Sequence, residues 1–194
     1  MARPKNTKGK TRALEAGEIK TLLSVASISR NSTRNVMLIK FMLYTGCRVG
    51  EACKVKIEDV FNGVGILPRI NFTETKNKKS RSIPISKRLQ KDLLVYVQSL
   101  DCEPHKPLFQ SQKGSFLHPT YGSQLIKDLL TKAGLKDAKG SHALRRSCLV
   151  SMMEAGHSLA TLKEISGHSN ISTLNYYLSS SDERINNAVN SLKF

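Results

Sequence analysis

The chain has 194 residues, enough for one domain with tails and for a core that needs no metal or disulfide staple. Lysine and arginine number 31 against 15 acidic residues, a formal net charge of +16, which reads first as a nucleic-acid binder; the alternative, a ribosomal or merely soluble basic protein, is not separated from it by charge alone. The apolar stretch Val36–Tyr44 is interrupted by Lys40 and too short to cross a bilayer, and Met1–Arg12 lacks the apolar run of a signal peptide, so no membrane partner is expected.

Taken in chain order, Met1–Arg12 carries Arg3, Lys5, Lys8, Lys10 and Arg12 and no acid, and reads as a flexible basic arm. Glu15–Ser27 places Ile19, Leu22, Leu23 and Ala26 on one helical face. Asn31–Tyr44 starts on Asn-Ser-Thr and stops at Gly46, the signals of a second helix. Gly63–Ile85 is different: Ile66, Ile70, Phe72, Ile83 and Ile85 are strand formers, and the polar Thr75–Ser80 suggests a hairpin turn. Helical spacing returns in Ser86–Leu100 and in Pro119–Ala133, the latter stopped at Gly134, and continues through Ser141–Ala155, Ser158–Ser166 and Ser172–Leu178. Ser181–Leu192 is a last amphipathic piece with Ile185, Val189 and Leu192 on one face. The expected organisation is a basic arm at 1–12, a domain at 13–178 and a tail at 179–194. Its fold class is α+β, mostly helical with a small antiparallel sheet.

Of the four cysteines, Cys47, Cys53, Cys102 and Cys148, no pair has zinc-ligand spacing, and all but Cys102 sit in apolar stretches as small hydrophobes. A reducing cytoplasm fits that usage.

Three short stretches carry candidate chemistry. In Thr45-Gly46-Cys47-Arg48-Val49-Gly50-Glu51, Arg48 falls near a helix start, where outward N–H groups and a guanidinium make an anion site, and Glu51 is close enough to orient it. In His142-Ala143-Leu144-Arg145, a proton carrier and a fixed cation share a helix face, as phosphoryl transfer requires. In Ser166-Gly167-His168, the glycine breaks a helix and lets His168 project from a turn, with Tyr177 nine residues on. Each stretch alone is also compatible with a surface ion pair, a solvated face or a structural turn.

In combination and order, the three resemble the tyrosine recombinase (phage integrase) family, whose TGxRxxE, HxLR and GHxxxxTxxxY patterns they match from Leu14 to Leu178. The chain departs from the family in having Arg146 where a His often follows the second arginine, and Ser166 where an apolar residue often precedes the glycine. With no room for a separate N-terminal core-binding domain, it is similar to the minimal recombinases of the fimbrial-inversion type.

The resemblance implies a site-specific DNA recombinase. Tyr177 would attack a backbone phosphate to form a 3′-phosphotyrosyl bond, with Tyr176 as rival nucleophile. Arg48 and Arg145 would hold the non-bridging oxygens, His142 would accept the tyrosine proton and His168 would add a hydrogen bond. The family's hairpin lysine lies eight residues before a proline; Pro84 selects Lys76 as general acid, with Lys78 and Lys79 as rivals. Lys78, Lys79, Arg81 and Arg146 are the expected DNA contacts and Glu51 the supporting carboxylate. No cofactor or metal is expected. The implied partners are double-stranded recombination sites, a homotetramer in the synaptic complex, and accessory DNA-bending proteins. Supercoil relaxation of the type IB topoisomerase kind and a non-catalytic DNA-binding regulator are the alternatives.

Overall fold

The computed structural model describes residues 11–73, 80–100, 103–168 and 190. Among them, seven α-helices, one 3-10 turn at Ile57–Asp59 and a two-stranded sheet follow one another along the chain.

Helix α2 (Ser32–Thr45) is the axis of the fold. It packs against α1 (Ala16–Ser27), α4 (Lys87–Gln98) and α6 (Ser141–Glu154). A helix covered on so many sides must be apolar around most of its girth, and Met37, Leu38, Ile39, Phe41 and Met42 are all buried. Phe41 meets Phe72 and Phe109 edge to face, with centroids 6.3 and 5.5 Å apart. The polar start of α2 is also buried, and it is satisfied: Arg34 donates to Asn35 Oδ1 and to the Gln110 carbonyl at 2.8 Å.

The capping residues act largely as the sequence suggests. Ser86 and Ser158 cap α4 and α7 (Leu159–Ser166) through their hydroxyls, and Pro119 opens α5 (Pro119–Lys132). Asn31 differs, because it enters α2 in the left-handed conformation with no side-chain cap bond. The sheet pairs β1 (Arg69–Thr73) antiparallel with β2 (Ser80–Pro84), setting Ile70 opposite Ile83 and Phe72 opposite Arg81. Ile70, Phe72 and Ile83 face the core.

Arg12, counted with the basic arm, is held by Glu18 at 2.6 and 2.7 Å and by Asp137 at 2.6 and 3.0 Å, while the Lys139 N–H donates to Thr11 Oγ1 at 2.8 Å. Its charge is spent within the fold. Cys47, Cys53 and Cys148 are free and buried as expected, and burial pushes their thiols up to about 12, 11 and 12 respectively. Residues 1–10, residues 74–79 with all of the expected hairpin turn except Ser80, Cys102, the segment Ser172–Leu178 and the apolar stripe of the tail lie outside the described residues. No helix among the described residues is long and apolar enough to cross a membrane.

Candidate active site

A cleft of about 1330 Å³ opens between α3 (Val49–Ala52), β1, α5, α6 and the C-terminus of α7. Arg48, Glu51, His142, Arg145 and His168, scattered over 120 positions of sequence, all line it.

Arg48 is brought there by Gly46. That glycine ends α2 at φ +61°, its N–H bonded to the Met42 carbonyl, and a Cβ on it would sit 3.2 Å from Cys148 Sγ. The chain therefore reverses tightly and Arg48 becomes the N-cap of α3. Its backbone N–H donates to Glu51 Oε2 at 2.6 Å, and Glu51 Oε1 lies 3.4 Å from Nη1. The N–H of Arg48 itself is thus occupied within the turn.

Arg145 is the opposite case, a residue only 5% exposed. It donates to the Gly46 carbonyl at 2.7 Å and to the Ser166 carbonyl at 2.6 Å, and Nη2 lies 3.4 Å from Nδ1 of His168. The two carbonyls carry no charge. Burial, and next the nearby Arg48 charge, pull its pKa down to about 10, so it stays cationic at neutral pH. A buried cation held by carbonyls, with other cations around it, is a strong electrostatic site for an anion. His142, three residues earlier on α6, is exposed to the cleft.

Gly167 ends α7 at φ +67°, and a Cβ there would meet the Arg81 side chain at 3.1 Å. His168 follows at once, its Nδ1 2.6 Å from Ser166 Oγ.

Arg81 was expected among the DNA contacts. In this structure it forms a two-pronged pair with Glu51 at 2.7 and 2.8 Å, donates to the Ile165 carbonyl at 2.9 Å, and stacks over Phe72 at 5.0 Å. It joins the hairpin, the Arg48 turn and the end of α7. Burial pushes the Glu51 carboxyl up, but the Arg81 bonds, the Arg48 N–H and both charges outweigh it, and its pKa is lowered overall. Arg146 is half-buried on α6 and does not line the cleft. The sequence reading missed Lys54, Lys127, Lys136 and Lys139, four exposed lysines on the cleft; only the overall charge hinted at them. Lys76, Lys78, Lys79, Tyr176 and Tyr177 lie outside the described residues.

Residues 12–184 match the sequence pattern described as the phage integrase family. The chain belongs to that family. Phage integrase relatives include the tyrosine recombinase XerA of Pyrococcus horikoshii, 32% identical over the whole chain, and the tyrosine recombinase XerH of Campylobacter jejuni, 31% identical over 78% of it. The chain spans only 65% and 43% of the lengths of these curated relatives. A crystal structure of XerA recombinase superposes over 97% of the chain and 68% of its own length, with a TM-score of 0.76 at 26% identity. The catalytic domain of bacteriophage HP1 integrase shares the fold over 94% of this chain and 95% of its own, with a TM-score of 0.66 at 24% identity. The mostly helical domain with a two-stranded sheet is the tyrosine recombinase catalytic fold.

Proposed function

We propose that this phage integrase family domain cleaves and rejoins DNA strands at specific sites through a 3′-phosphotyrosyl intermediate. The observation that carries the reading is Arg145, buried and cationic between Arg48 and His168 on a lysine-lined cleft. A phosphodiester entering the cleft meets two guanidiniums suited to its non-bridging oxygens. Tyr177 attacks the phosphorus, and His142 takes the phenol proton, which a group with a pKa near 10 does not give up unaided. Lys76 protonates the departing 5′ oxygen. His168 donates to the phosphate. Energy is stored in the phosphotyrosine bond, so the reverse attack by a 5′ hydroxyl rejoins the strand without ATP.

Lys54, Lys127, Lys136 and Lys139 supply phosphate contacts that hold the duplex without reading its sequence. The partners we propose are double-stranded recombination sites, three further copies in a tetrameric synapse, and accessory DNA-bending proteins, in a cytoplasmic setting. A narrower place among recombinases of the fimbrial-inversion type is likewise a proposal, resting on the sequence resemblance.

The test is a nicked suicide duplex taken from the DNA that flanks the gene. Wild-type protein and Tyr176→Phe should form an SDS-resistant adduct, and Tyr177→Phe should not. An adduct mapped by peptide sequencing to Tyr176, a serine or a histidine overturns the assignment. Relaxation of supercoils without exchange between two sites would point to topoisomerase-like activity instead.

A further inference from the structure

Residue 166 touches two of the cleft's key groups through different atoms. Its carbonyl accepts from Arg145 at 2.6 Å, a contact any residue could make, while its hydroxyl lies 2.6 Å from Nδ1 of His168. Ser166 has no exposed surface, so its hydroxyl proton has no solvent to turn to. Two acceptors are in reach. The Lys163 carbonyl is 3.4 Å away, beyond the ordinary O–H···O range of about 2.5–3.0 Å, and already accepts from Gly167 N–H at 2.8 Å. Nδ1 is well within range. An imidazole nitrogen that accepts carries no proton, so in the neutral ring the proton must sit on the other nitrogen.

We propose that Ser166 is a positioning residue whose hydroxyl donates to Nδ1 of His168 and holds the ring as the Nε2–H tautomer, the form able to donate to a phosphate oxygen. In the opposite tautomer Nε2 would present a lone pair to an anion and repel it. The inference rests on the proposed phosphate role of His168.

Two measurements test it. In the free protein, the ¹⁵N shifts of His168 should mark Nδ1 as the acceptor nitrogen and Nε2 as the protonated one, and Ser166→Ala should shift that population toward Nδ1–H. On the nicked flanking-DNA duplex, Ser166→Ala should slow adduct formation about tenfold, the worth of one hydrogen bond, and should cost less than twofold once His168→Ala is present. Ser166→Cys, close in volume but a weak donor, should follow Ser166→Ala if the alanine variant folds poorly. A wild-type ring protonated on Nδ1, or losses that multiply in the double variant, overturns the role of Ser166 and leaves the cleavage mechanism standing. Cleavage indifferent to His168→Ala instead removes the phosphate role itself, and the inference with it.

Discussion

Arg81→Met keeps the aliphatic length of the side chain and removes its charge and its donors. In the native fold Arg81 and Glu51 are 9% and 13% exposed and joined by two bonds of 2.7 and 2.8 Å. Loss of Arg81 leaves the buried Glu51 charge with the Arg48 N–H and a longer 3.4 Å contact to the Arg48 guanidinium, and breaking such a buried pair costs about 3–5 kcal/mol. That is a large part of the roughly 5–15 kcal/mol that keeps a domain folded. For an m-value of about 2 kcal/mol/M, the urea midpoint followed by circular dichroism should fall by about 1.5–2.5 M. Adding Glu51→Gln to Arg81→Met should recover part of the loss, because the stranded charge is gone. The sign with pH follows from the lowered pKa of Glu51. In wild type, the pair's stability is present above the ordinary carboxylate range and is lost as pH falls through the depressed folded value. In Arg81→Met, burial acts against fewer partners, the carboxyl takes up a proton more readily on acidification, and the gap between the two proteins should narrow. A loss under about 1 kcal/mol, the scale of an exposed pair, would refute this account. So would strict additivity of the two substitutions.

Gly167→Ala should cost about 1–3 kcal/mol, because alanine must adopt φ +67° and its Cβ must displace Arg81; thermal unfolding checks it, and unchanged stability would mean the turn relaxes freely. Lys76→Ala should slow cleavage strongly while DNA affinity holds, and a 5′-bridging sulfur, which leaves without protonation, should restore much of the rate; rescue of Lys78→Ala or Lys79→Ala in its place would reassign the general acid. Adduct formation should persist in excess EDTA, since the proposed chemistry draws only on side chains; loss on chelation would undo the mechanism.

Local patterns made most of the fold legible. The stripe Ile19, Leu22, Leu23 and Ala26 does face the core, with Leu22 and Ala26 fully buried, and Gly46 does stop α2 just before Arg48. What escaped were pairings across distance. Arg81 has the same strand parity as Ile83, which faces inward. That parity announced a charged residue pointing into the protein and in need of a partner, but nothing in sequence spacing identifies Glu51, thirty positions away, as that partner. The cleft lysines were hidden for a similar reason: Lys54, Lys127, Lys136 and Lys139 come from three separate segments, and only the tertiary fold gathers them. Ser166 was visible as a departure from the family pattern, yet its meaning depends on the turn at Gly167 folding His168 back toward it.

The shared use of Glu51 has a consequence for charge. Three guanidiniums, those of Arg48, Arg81 and Arg145, surround this one carboxylate, leaving two net positive charges. A DNA phosphodiester brings one negative charge, whereas the five-coordinate phosphorus formed on attack by a phenolate carries two. On the proposed mechanism the cluster therefore holds the doubly charged species at the top of the barrier more strongly than the resting strand. Its attraction grows as the reaction proceeds, which is the condition for accelerating a step and not merely binding tightly.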